Sequence, residues 1–150
     1  MVRAFAALIL GLVMVLGAAP ASLAAVKVTV NGDPITDVDI AQRLKLFQLE
    51  GRSGSNAAME ELVNEALMLQ EARRLNIQIS ETQMDQAYQN VARNVKVSVD
   101  NLDRILSQNG VNRETLIRRL RAALAWNEVT TIAVMPRVQI SDVDLEQQAV

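Results

Sequence analysis

The chain opens with an uninterrupted apolar run, and its hydrophobic spacing then changes twice. Residues 4–19 carry no charge. From Val26 to Val30 apolar and polar residues alternate (Val-Lys-Val-Thr-Val), the period of a half-buried strand. Asn31-Gly32-Asp33-Pro34 follows as a turn, because Asn-Gly accepts positive φ, and Ile35 returns as one or two residues of a second strand. Beyond Thr36 the spacing becomes helical. Five helices are predicted, at about 37–50, 57–75, 81–95, 99–109 and 113–134, capped in turn by Thr36, Asn56, Ser80, Ser98 and Asn112. Thr36 with Asp39, and Ser80 with Gln83, have capping-box spacing. Gly51, Asn109-Gly110 and Pro136 are the stop signals.

The faces of these helices differ. The second is apolar nearly all round: Met59, Leu62, Val63, Ala66, Leu67 and Leu69 fill one arc, and Met68, Ala72 and Leu75 lie opposite. A helix of that kind is expected at the centre of a bundle. The third has one stripe, Met84, Tyr88, Val91 and Val95, which reads as core. The fifth begins with one face (Leu116, Ile117, Leu120, Ala123, Leu124) and gains a second (Ala122, Ala125, Trp126, Val129, Ala133). That second face requires a second partner: either the first helix, which is also two-sided, or something outside this chain. The whole is predicted to be mainly α, a compact bundle of about five helices with a short N-terminal β-hairpin.

The first 24 residues change the picture of where this bundle works. Met1 to Arg3 is short and basic, the apolar run follows, and Ser22 and Ala24 fit the −3 and −1 positions of a signal peptidase site. The run is shorter than the ~20 residues that span a bilayer. Residues 1–24 therefore read as a signal peptide cut after Ala24, and the membrane is met only during export. Residues 25–136 read as the helical domain, and residues 137–150 as the start of a linker or further helix. Ile140-Ser141-Asp142-Val143-Asp144 repeats the cap pattern of Ile35–Asp39 and Ile79–Gln83, yet the chain stops at Val150, barely two turns later, as a sequence cut mid-element would.

Composition excludes several chemistries. The 150 residues contain no histidine and no cysteine, so the Ser-His-Asp and Cys-His nucleophiles and the usual zinc ligand sets are ruled out. No catalytic, cofactor or metal residue is nominated. Loss of Arg3 with the leader leaves 14 basic and 17 acidic residues, a net charge of −3. Arg113, Arg118, Arg119 and Arg121 follow a helix-turn-helix-like spacing, but export and negative charge argue against nucleic acid, and a Glu114–Arg118 pair explains the arginines as a solvated face.

Three segments in order, Val28-Thr29-Val30-Asn31-Gly32 running into Ile35–Asp39, Leu62–Ala72, and Ile77–Asp85, followed by an Arg-rich helix with Arg118, Arg119 and Leu120, resemble the N-terminal domain of the SurA-type periplasmic chaperones over residues 26–150. The resemblance implies an ATP-independent, cofactor-free chaperone domain of the periplasm. Its partners would be unfolded outer-membrane proteins, bound through extended, aromatic-rich segments, or other periplasmic polypeptides. The alternative it implies is the N-terminal fragment of a parvulin-type prolyl isomerase, whose parvulin domain this sequence does not reach. Phe47, Trp126 and Val129, which fall off the main stripes, are the candidate client contacts, and exposed apolar helix faces suggest self-association. Met59, Met68, Met84 and Met135 are adaptable apolar residues that read first as core.

Overall fold

The computed structural model describes residues 24–133. The expected leader, the third copy of the cap motif, Met135 and residues 137–150 lie outside them. Two strands, β1 (Val26–Val30) and β2 (Asp33–Thr36), are followed by α1 (Asp37–Leu49), α2 (Ser55–Arg74), α3 (Glu81–Asn94), α4 (Val99–Gln108) and α5 (Arg113–Ala133). The molecule is mainly α, with five helices and one antiparallel hairpin among the described residues.

The hairpin turns through Asn31 and Gly32, both at positive φ (49° and 95°), the pairing that matches the twist of the flanking strands. β2 is longer than expected because Pro34 sits within it, opposite Thr29, and a two-stranded sheet leaves every strand an outer edge where a missing N–H is tolerated. Val30 and Ile35 drop from the hairpin onto Leu62 and Ala66 of α2. Gln70 clamps the turn: its Nε2 donates to the Val30 carbonyl (2.6 Å) and to Asp33 (3.0 Å), and its Oε1 accepts from Asn31 Nδ2 (2.8 Å). Arg73 and Gln70 both donate to the Asp33 carboxylate and hold its pKa below the ordinary value, the Gln70 bond contributing most.

Caps set the helix starts. Thr36 and Ser80 form full capping boxes with Asp39 and Gln83, Ser98 accepts from the Asn101 amide, and Asn112 Oδ1 accepts from the Glu114 amide. The exception is α2. It begins at Ser55 with Gly54 in the cap position and no side-chain cap, so Asn56 is already inside the helix.

The first four helices share one ending. In each, the residue after the C-cap has positive φ (Gly51, Asn76, Lys96, Gly110). The next amide then reaches back five residues: Arg52 to the Phe47 carbonyl, Ile77 to Ala72, Val97 to Ala92 and Val111 to Leu106. This is the Schellman pattern, which is completed by an apolar contact between the same residues. Ile77, Val97 and Val111 supply it into the core. At α1 the position is Arg52, whose guanidinium lies 3.8 Å from the Phe47 ring centre instead.

The core has three connected parts. Leu46, Tyr88, Leu102, Leu106 and Leu116 join α1, α3, α4 and α5; the hairpin packs on α2; and Ala72, Ala125 and Val129 join α2 to α5. α2 is central, touching the hairpin, α1 and α5. The second apolar face of α5 therefore finds its partner chiefly in α2, through small side chains that let the helices approach closely, rather than in α1. The first helix keeps its two-sidedness: Val38 and Leu49 remain exposed.

Candidate functional site

Two features stand out where α1, α2 and α5 meet. The first is ionic. Arg43 of α1 is fully buried and reaches α2, pairing with Glu61 (2.7 Å) and Glu65 (2.5 Å). From α5, Arg119 pairs with Glu61 (2.9 Å) and Glu50 (2.5 Å), and Arg118 approaches Asp39 (3.4 Å) and Glu65 (3.6 Å). Arg52 closes the ring on Glu50 and Glu61, and the hydrogen bond it donates to Glu61 is the main reason its pKa is raised. Four arginines thus meet four carboxylates, and charge is matched within the cluster. Such a cluster adds little net stability compared with an apolar replacement, but breaking it from one side is costly. It fixes how the three helices stand relative to one another. Arg43 Nε and Glu65 Oε1 are buried without a hydrogen-bond partner, and both residues line a recess of ≈120 Å³, large enough for water.

The second feature is apolar. Along one side of the α2–α5 seam, two adjoining recesses of ≈330 and ≈540 Å³ share Asn64, Met68 and Trp126. Leu67 (44 % exposed) and Trp126 (39 %) stand at the surface, and Met68 is half-buried between them. Sequence spacing had nominated Phe47, Trp126 and Val129 together, and the structure separates them. Phe47 is fully buried beneath Arg52 and offers no surface. Val129 is 4 % exposed, packed on Ala72 and Ala125, and lines one recess only as floor. An off-stripe position on a helix with two partners is as much core as an on-stripe one. Leu67 and Met68 were not nominated, although Met68 opposite the main arc of α2 was a signal for it.

The four arginines that suggested a DNA-reading helix are largely engaged. Arg113 pairs with Asp103 (3.3 Å) and lies 4.5 Å from the Tyr88 ring centre, while Arg118 and Arg119 belong to the ionic cluster. The expected Glu114–Arg118 pair does not form, because Arg118 turns toward Asp39 and Glu65 and leaves Glu114 to Arg121 at 3.9 Å. Tyr88 is core as expected, but its hydroxyl donates to Asp103 (2.5 Å); burial first, then that carboxylate, push the phenol up to about 12. Among the described residues no three acidic side chains gather as metal ligands, and no helix is long and apolar enough to cross a membrane.

A family model described as the SurA N-terminal domain matches residues 24–130. Chaperone SurA of Vibrio vulnificus (strain YJ016) is 27 % identical over 141 residues, covering 87 % of this chain and 33 % of the relative. Chaperone SurA of Albidiferax ferrireducens is 29 % identical over 128 residues (79 % and 28 %), and that of Escherichia coli O6:H1 is 26 % identical over 155 residues (95 % and 36 %). The chain thus spans about a third of the length of these curated relatives. A solved structure from work on PEB4 and Cj1289, two SurA-like chaperones of Campylobacter jejuni, aligns with a TM-score of 0.43 at 21 % identity, over 72 % of this chain and 41 % of that one.

Proposed function

The chain belongs to the SurA N-terminal domain family, and from that premise we propose that it is the polypeptide-binding, non-catalytic helical module of an ATP-independent periplasmic chaperone. It reaches that compartment through a signal peptide cleaved after Ala24, and its clients are unfolded outer-membrane proteins presenting extended, aromatic-rich segments. The observation that carries the reading is the recess beside Trp126. An aromatic ring and a methionine at the surface, with Leu67 at their edge, form an adaptable apolar face. Faces of that kind accept varied side chains without a fixed hydrogen-bond pattern. The ionic cluster holds α2 and α5 in place beneath it, so the face is preformed. Self-association through the same face would compete with clients. Sedimentation over a concentration range, with and without peptide, separates the two uses.

Trp126 is the sole tryptophan of the chain, so its emission reports directly on the recess. Titration with an extended peptide rich in Phe and Tyr but lacking Trp is expected to shift that emission to the blue and to saturate. An emission spectrum unmoved up to about 1 mM peptide, the range of the weakest specific complexes, would remove the recess from the client path.

A further inference from the structure

We propose that removal of the leader completes the fold: the α-amino group released at Ala25 forms an ion pair with Asp37 and ties the start of the hairpin to the start of α1. This rests on the cut after Ala24 proposed above and not on what the Trp126 face binds. Sequence and structure arrive at one residue from opposite sides. Ser22 and Ala24 place the cut between Ala24 and Ala25, and Ala25 makes the first hydrogen bonds of the chain among the described residues.

Those bonds are reciprocal. The Asp37 amide donates to the Ala25 carbonyl (2.9 Å), and the Ala25 nitrogen donates to Asp37 Oδ1 (3.0 Å). Ala25 and Asp37 flank the Val26–Thr36 pair, the last of the antiparallel ladder, and so take its next rung. In a ladder the return bond goes to a main-chain carbonyl. Asp37 is already the first residue of α1, and its carbonyl is directed along the helix. Its carboxylate takes the carbonyl's place. While the leader is attached, the Ala25 nitrogen is an amide with one proton to give. After the cut it is an ammonium with three donors and a full charge, and the same contact becomes a charge-assisted bond.

The surrounding charges leave Asp37 as the partner. The N-terminus of α1 carries the positive end of the helix dipole, which by itself repels an ammonium. Asp37 and Asp39 stand in that first turn. Asp39 is engaged with Thr36 and lies 3.4 Å from Arg118. Asp33, the acid of β2, is held by Gln70 and Arg73 at the far end of the hairpin. Lys27 is the one charged residue of β1. A cut one residue later would delete Ala25 and both of its bonds.

The test begins with the exported protein, whose first residue by mass spectrometry should be Ala25. Four proteins are then compared in urea melts at low salt and neutral pH: the chain from Ala25 with a free or an acetylated N-terminus, each with Asp37 or with Asp37→Asn. Acetylation should raise the unfolding equilibrium constant about two- to fivefold when Asp37 is present. In Asp37→Asn it should leave that constant unchanged or lower it, because only the repulsion from the helix end is then removed. By nuclear magnetic resonance, the α-amino group should titrate above its ordinary value of about 7.7–8 in the parent, and at or below it in Asp37→Asn. A folded value raised in this way makes the advantage of the free N-terminus complete below the ordinary value, and that advantage is lost as pH rises through the folded one. An acetylation effect that is absent, reversed in sign, or equal with and without Asp37 overturns the proposal, as does an amine that titrates at its ordinary value. A first residue other than Ala25 overturns the cut and this proposal together. The response of Trp126 emission to peptide should be the same in all four proteins, so the client reading is judged separately.

Discussion

Arg43→Met should be the most damaging single substitution on the α1 surface that faces α2. Arg43 is fully buried, and its removal leaves Glu65, 4 % exposed, without its 2.5 Å partner and Glu61 without its 2.7 Å partner. Stranding a buried carboxylate in this way typically costs about 3–5 kcal/mol. Arg118 Nε, 3.6 Å from Glu65, can draw closer and offset part of the loss, so a value near the lower end, about 3 kcal/mol, is expected. A domain of this size is stable by about 5–15 kcal/mol, so the fold should survive but be much weakened. With a urea slope of about 1–1.5 kcal/mol/M, the midpoint of a circular-dichroism melt should fall by about 2–3 M. Two companions fix the cause. Arg52→Ala removes a guanidinium that also pairs with Glu61 but is 44 % exposed, together with its stacking on Phe47; it should cost no more than about 1 kcal/mol, well short of the Arg43 effect. Arg43→Met combined with Glu65→Leu removes the stranded charge and should recover to within about 1 kcal/mol of the parent. A midpoint shift for Arg43→Met no larger than that of Arg52→Ala would refute the claim that the cluster organises the three helices.

Further outcomes follow from the same geometry. Lys96 occupies the left-handed region (φ 60°) at the end of α3, so Lys96→Gly should stabilise by about 1 kcal/mol in urea melts. Ala125, 1 % exposed against α2, has no room for more carbon; Ala125→Leu should cost about 1–3 kcal/mol. Tyr88 keeps its proton to about 12 in the fold against 10.0 ordinarily. The folded state therefore binds more protons between those values, and stability should fall as pH rises through that window. Tyr88→Phe should lack that decline, and equal slopes for the two proteins would show the phenol to be uninvolved.

The fold was legible wherever a local rule decided it. Thr36, Ser80, Ser98 and Asn112 begin helices because a side-chain oxygen meets an orphan amide three or fewer residues away, and that is visible in the sequence. Asn56 misled because the same residue type can lie inside a first turn when a glycine takes the cap. The helix ends at Asn76 and Lys96 were harder to see, since neither is glycine; only the apolar Ile77 and Val97 two residues past each C-cap betrayed them. The ionic cluster was not legible at all. Arg43 lies 18 and 22 residues from its partners, and neither helical periodicity nor composition distinguishes a buried arginine from a solvated one. For the same reason Phe47, Trp126 and Val129 looked alike in spacing. Burial by a distant helix, which depends on how α2 meets α5, separated one surface residue from two core ones.

The central claim is that the face around Trp126 holds unfolded polypeptide. The most direct test is light scattering from an outer-membrane porin diluted out of denaturant without ATP, in the presence of the chain from Ala25 onward. Dose-dependent suppression is expected from the parent protein and from Arg52→Ala, and a clear loss of it from Trp126→Ala and from Leu67→Asp, whose altered side chains lie at the exposed rim and leave the helical circular-dichroism signal intact. Suppression undiminished in both rim variants, or none from the folded parent, would contradict the claim and leave the α2–α5 face as scaffold.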